Sequence, residues 1–258
     1  LLGSVTAEGF VYRVDLRLRP FGDSGPAIVG FDAFEDYLQQ HGRDWERYAY
    51  VKARPVHGAE SFDELYRNVL RPFVYRRYLD FSVFESLRAM KELIAREVER
   101  RELRDNVKLG PGGIREIEFI VQAFQLIRGG GKPTLQTRSL LEALPLLAGH
   151  KLLSPEAVAE LGESYRFLRK VENRLQQRND EQTHDLPRDE TGRARLALAT
   201  GAADWSALAT EIERHRRRVS GHFRTLIFGP AEPGADDGLE RALETLLEPE
   251  LDDARRLE

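Results

Sequence analysis

From about Ser61 onward the apolar residues recur three, four and seven apart almost without interruption, and nothing else in the chain so limits its fold. Ile114, Ile117, Val121 and Phe124 form an unbroken stripe, and Leu161, Tyr165, Leu168, Val171 and Leu175 form another. Phe84, Leu87, Ile94 and Val98 keep the spacing, with Lys91 as one polar interruption. Residues at this period share one face of an α-helix, and such a face is stable only against a second one. The spacing therefore predicts a mainly α chain built as a helical bundle. Helix ends are marked as well. Ser154-Pro155-Glu156 supplies an N-cap, a first-turn proline and a first-turn acid. Asp204 can cap a last long helix that turns Leu208, Ile212, Val219, Phe223 and Leu226 inward. There is no internal repeat.

The first 58 residues read differently, mixing strand, Gly-rich turn and helix. Val11 to Pro20, VYRVDLRLRP, alternates strictly between apolar and polar residues, the signature of a half-buried strand. Val14, Leu16 and Leu18 point one way; Asp15, Arg17 and Arg19 point the other way. A carboxylate for a hard cation thus lies beside guanidiniums that take phosphate oxygens in pairs. The same pattern also suits an amphipathic strand with cross-paired surface charges. Phe21-Gly22-Asp23-Ser24-Gly25-Pro26 is dense turn chemistry. Phe31 to Gly42 predicts a short helix, and Asp44 can cap another carrying Trp45, Tyr48, Ala49 and Lys52. Strands are expected only before about Gly58.

Composition removes several classes. Formal charge is 39 − 43 = −4 and the sequence pI is near 6.0, which argues against a general nucleic-acid binder. Without cysteine there are no disulfides, thiol nucleophiles or thiolate metal sites, and the cytoplasm is the natural compartment. No apolar run is long enough for a bilayer, so no membrane association is expected, and no signal peptide opens the chain. A start at Leu1 and a single methionine, Met90, suggest a piece of a longer protein. Beyond Gly229 the run GPAEPGADDG reads as an acidic linker, with helical spacing resuming at Leu239.

A second candidate site is KLGPGGIREIEF, Lys108 to Phe119. Three glycines and a proline lead into a helix whose first turn holds Arg115 and Glu116. Free amides at a helix start suit an anion, but the same glycines also suit close packing of the loop. Arg115 and Glu118 are spaced to pair along the helix, leaving Glu116 for another partner. His215 and His222 lie seven apart without a third ligand nearby, which favours a structural role on a helix surface. His184, in QTHDLP, carries no clear signal.

DLRLRPFGDSG, FDAFEDYLQQHGRDWERYAYVKARPVHG, PFVYRRYLDFSVFESLR and KLGPGGIREIEFIVQAFQLIRGG are long and specific. Together they resemble the glutamine synthetase adenylyltransferase/adenylyl-removing enzymes of bacteria, from about Tyr12 to about Phe228. That family joins two nucleotidyltransferase domains of the polymerase-β type, each followed by a helical domain. The resemblance thus implies a partial nucleotidyltransferase domain over residues 1–58, a helical bundle over 59–229 and a linker with the next segment over 230–258. Lys52-Ala53-Arg54 and the run Gly113 to Phe119 resemble the amino-terminal copy. That copy removes AMP from adenylylated glutamine synthetase by phosphorolysis, giving ADP; the other transfers AMP from ATP.

The resemblance carries over to few residues. Asp15 matches the third carboxylate of a two-metal Mg²⁺ site. The Gly-Ser…Asp-x-Asp motif that supplies the first two is absent, since Gly3-Ser4 has no Asp-x-Asp after it. By itself this stretch is then expected to be inactive. Arg17 and Arg19 would face the phosphates of ATP, ADP or AMP, Ser24 and Gly25 would shape the turn beside the nucleotide, and Lys52 and Arg54 would add positive charge. The implied partners are glutamine synthetase and the signalling protein PII. Two alternatives stand beside this one: a non-catalytic helical module that docks glutamine synthetase or PII, and a relative of the uridylyltransferase that modifies PII.

Overall fold

The computed structural model describes residues 18–76, 103–178 and 181–228. The strand expected over Val11–Pro20, with Asp15 and Arg17, lies outside these residues except for positions 18–20. The helical spacing from Phe84 to Val98 and the segment 230–258 lie outside them too. Positions 18–20 belong to a turn rather than a strand: the Arg19 carbonyl accepts from the Gly22 amide at 2.9 Å, and Pro20 has no amide to give a ladder. The chain divides into two compact units, Leu1–Arg77 and Tyr78–Glu258. Both are helical, and among the described residues the only β pairing is an isolated bridge between Asn106 and Asp185.

In the first unit, α1 (Phe31–His41) and α2 (Asp44–Val51) precede α3 (Ala59–Leu65), which runs through a π-helical turn, Tyr66–Leu70, into α4 (Arg71–Val74). Tyr37, Leu38 and Leu70 are buried together, with Phe34, Tyr50, Phe62 and Phe73 packed around them. Two charged residues of α2 are also inside. Glu46 accepts from the Tyr37 hydroxyl at 2.9 Å and from the Arg43 amide at 2.8 Å. Arg47 donates through Nε and NH2 to the Val74 carbonyl at 3.2 and 2.9 Å, tying the end of α4 to α2. Glu46 therefore closes the start of α2 over Arg43, and Asp44 is the first helical residue, not the cap the sequence suggested.

The second unit packs α5 (Ile114–Arg128), α6 (Leu140–Gly149), α7 (Pro155–Gln176), α8 (Glu190–Thr200) and α9 (Trp205–Phe228) around one another. The predicted stripes are its interior. Ile114, Ile117, Val121, Leu161, Leu168, Val171 and Val219 are completely buried; burying each is worth roughly 1.5–3 kcal/mol. Val171, Leu175, Leu196, Leu208 and Ile212 meet where α7, α8 and α9 converge. Ser154 caps α7 by accepting from the Ala157 amide at 3.1 Å, and Asp204 caps α9 by accepting from Ala207 at 2.8 Å. The unit is the helical bundle that the spacing predicts.

Candidate functional site

Residues 19 to 25 form a tight turn, and its local chemistry fixes its shape. Arg19 reaches across it, donating through Nε to the Gly25 carbonyl at 3.2 Å and through NH2 to the Asp23 carbonyl at 3.3 Å. Gly22–Ser24 is one 3₁₀ turn, closed by the Gly25 amide on the Gly22 carbonyl at 3.2 Å. Gly25 cannot be replaced in place, because a Cβ there would lie 1.9 Å from the Pro20 oxygen. Phe21 holds φ at 60°, a left-handed conformation that costs a non-glycine residue about 1–2 kcal/mol. Its ring stands edge-on to Tyr37 at 4.8 Å and to His41 at 5.3 Å while remaining 54% exposed.

This turn and the facing parts of α1 and α2 enclose a cavity of about 460 Å³, lined by Arg19, Phe21, Ser24, Tyr37, His41, Arg43 and Trp45 among others. The cavity combines cations with exposed aromatic faces. Aromatic rings stack on bases and guanidiniums bind phosphates, so the lining matches the two halves of a nucleotide. Tyr37 stays protonated, since burial and its bond to Glu46 both push its hydroxyl above the ordinary tyrosine value. Arg19 and Ser24 are thus brought together with five residues that sequence pattern did not single out. Lys52 and Arg54 are exposed at and just beyond the end of α2, and neither lines the cavity.

The loop before α5 is organised from within. Gly110 and Gly113 amides bond to Asn106 and Gly110 carbonyls, Ile114 to Val107, and Arg115 to Lys108. Glu116 accepts from the Gly112 amide at 3.0 Å and from the Ser220 hydroxyl at 3.4 Å, so it is not left for an outside partner. The amides at the start of α5 are therefore occupied by the chain itself. Gly112, at φ +67°, sits so close to α9 that a Cβ would meet the Arg216 oxygen at 2.1 Å. Arg216 in turn donates to the carbonyls of Arg104 and Asn106, both at 2.8 Å. Here the glycines serve close packing. Arg115 points outward and is exposed.

The histidines hold the second unit together. His184 Nδ1 lies 3.0 Å from the buried carboxylate of Glu172, which Arg169 also contacts. His215 is turned inward, not toward the surface as its spacing suggested, and stacks on Phe167 at 4.4 Å. Arg214 can only donate, so His215 Nε2 accepts from it at 3.0 Å and Nδ1–H donates to Ser164 Oγ at 2.9 Å. Burial and the neighbouring guanidinium hold this ring below the ordinary histidine value. His222 pairs with Glu160 at 2.7 Å. Among the described residues no group of three or more His, Cys, Asp or Glu side chains is placed to hold a metal ion, and no helix is long and apolar enough to cross a membrane.

Comparison with known proteins gives each unit a family match. Residues 1–68 match the family model described as Glutamate-ammonia ligase adenylyltransferase. Residues 88–227, more than half of the chain, match the one described as GlnD PII-uridylyltransferase. The gap between the two matches, 69–87, contains the division between Arg77 and Tyr78. A curated relative, the bifunctional glutamine synthetase adenylyltransferase/adenylyl-removing enzyme of Nitrosococcus oceani, is 56% identical over 230 residues. That alignment takes in 89% of this chain and 24% of the relative, so the chain spans about a quarter of the relative's length. With near-complete coverage at that identity, and an adenylyltransferase match over the very residues that build the turn and cavity, the chain belongs to the glutamine synthetase adenylyltransferase/adenylyl-removing family of nucleotidyltransferases.

Proposed function

We propose that residues 1–58, within the first unit, are the later part of a polymerase-β-type nucleotidyltransferase domain that removes AMP from adenylylated glutamine synthetase by phosphorolysis. The cavity beside the Arg19 turn carries this reading, since it offers cations and aromatic faces together within the stretch that matches the adenylyltransferase family. Nucleotidyl transfer asks a protein for alignment and charge neutralisation more than for covalent chemistry. Inorganic phosphate must approach a diester that is already negative, and arginines beside it offset that repulsion. Arg19, fixed by two backbone carbonyls, directs positive charge without needing to reorder. Ser24 and the glycine-shaped turn set the wall of the cavity, and Arg17, Lys52 and Arg54 add to the positive field.

The family implies Mg²⁺. Asp15 would hold it as one carboxylate ligand, and the ion would neutralise phosphate charge there. One carboxylate does not make a two-metal site, so no step is derived through the metal. In this reading the stretch alone is inactive, the domains run 1–58, 59–229 and 230–258, the compartment is the cytoplasm, and PII is a further partner.

Asp15→Asn in the full-length protein tests the proposal. The substitution keeps shape and removes the charge a hard cation requires. Phosphate-dependent ADP production from adenylylated glutamine synthetase should be lost, while pull-down of glutamine synthetase and the melting temperature stay unchanged. Wild-type ADP production by the variant would remove Asp15 from the site and with it the catalytic reading. The match of residues 88–227 to PII-uridylyltransferases favours a second reading, in which the protein modifies PII. Transfer of label from UTP to PII, without any reaction on adenylylated glutamine synthetase, would decide for it.

A further inference from the structure

Two helices of the second unit treat their cations differently. On α9, Arg214 contacts Glu211 and Glu163, Arg217 lies 3.2 Å from Glu213, and Arg218 lies 3.0 Å from Glu163. Each is neutralised by a carboxylate. On α7, Arg166, Arg169, Lys170 and Arg174 line an open groove of about 680 Å³, with Asn173 and Gln177 beside them and no carboxylate in the lining. Lys170 donates to the Thr200 carbonyl at 2.7 Å and Arg174 to the Gln177 side chain at 2.7 Å. Among the described residues, only Arg169 of these four meets a carboxylate, the buried Glu172. Arg166 is exposed, with no side-chain bond to any described residue.

Arg166, Lys170 and Arg174 are four apart, so they form one ridge rising about 6 Å per step. The dipole of α7 does not account for them, because that effect fades within the last turn and Arg166, Arg169 and Lys170 lie before it. We propose that the groove is a docking site for an acidic segment of a partner protein. Charge complementarity selects the occupant: three cations bonded to no described carboxylate, Arg166, Lys170 and Arg174, stand along a line about 12 Å long. A small phosphate compound in so open a groove stays in water, where each ion pair counts little. A segment lying along the ridge engages several cations at once and gains from their linkage.

The test uses the whole chain and a fluorescein-labelled oligoglutamate peptide, followed by anisotropy at low salt. Saturable binding is expected. Arg166→Glu with Arg174→Glu should weaken it by about tenfold or more, since two attractive pairs become repulsive. Arg217→Glu with Arg224→Glu, the latter an exposed α9 arginine bonded to the Ser220 carbonyl, makes the same change in net charge and should leave the affinity within about twofold. The neutral pair Arg166→Gln with Arg174→Gln should fall between wild type and charge reversal, and it decides the matter if charge reversal lowers the melting temperature. The proposal is overturned if the peptide does not bind, or if the α9 pair weakens binding as much as the groove pair. Binding of tripolyphosphate where the peptide fails overturns it as well, and assigns the groove to phosphate.

Discussion

FGDSG at 21–25 and GPGG at 110–113 look alike as sequence: both are Gly-rich, both stand beside arginine, and both suit an anion. Their structures differ in where the polar groups go. In the first, the turn amides and Arg19 also bond within the turn, yet Arg19, Phe21, Ser24 and Trp45 still line a cavity. In the second, loop carbonyls and Glu116 occupy the amides, and Arg216 fills the space behind them. Glycine next to a cation is therefore no sign of a binding site by itself. What decides is whether the side chains beside it line a cavity, as at Arg19, or are packed into the fold, as at Arg216.

The sharpest break of this contrast is Gly112→Ala. The new Cβ would overlap the Arg216 backbone and the residue would keep a positive φ, so unfolding in urea should show a loss of about 3–4 kcal/mol. Arg216→Met should follow, at about 2–4 kcal/mol, because the buried carbonyls of Arg104 and Asn106 lose their donor. Neither change should alter the cavity of the first unit. Gly25→Ala should do the reverse. Its clash with Pro20 distorts a surface turn, costing stability only about 1–2 kcal/mol. Titration of ADP against Trp45 fluorescence in a Trp205→Phe background should show weakened binding. If ADP affinity survives Gly25→Ala, the turn does not shape the cavity's ligand.

The smallest effect concerns pH. His215 is neutral in the fold, with its value held below the ordinary 6.5. As pH falls through that region the unfolded chain takes up a proton first, so it binds more protons than the native state and stability drops. Arg214, Arg218, Glu211 and Glu163 face the ring from α9 and α7. Melting temperature should decline between about pH 7.5 and about pH 5.5, and His215→Gln should flatten the decline. An unchanged slope in that variant would assign the pH dependence to other groups.

The helical bundle was legible because period is a local property. Ile114, Ile117 and Val121 are three and four apart whatever surrounds them, and only a helix puts them on one face. The caps at Ser154 and Asp204 were legible for the same reason, since a cap bonds within one turn of itself. Motif resemblance pointed to Arg19, Ser24 and Gly25. It did not reveal that Tyr37, His41, Arg43 and Trp45 share their cavity, because those contacts depend on how α1 turns into α2.

By itself the sequence determined the helices, their inward faces and the family to which they belong, since each rests on neighbours along the chain. Tertiary structure alone decided the roles of the polar residues. Glu46, Arg47, His215 and Arg216 look like solvated charges in sequence, yet each is buried on a partner from another element or turn. A buried polar group is stable only when its hydrogen bonds are met, and the groups that meet them lie up to 112 residues away.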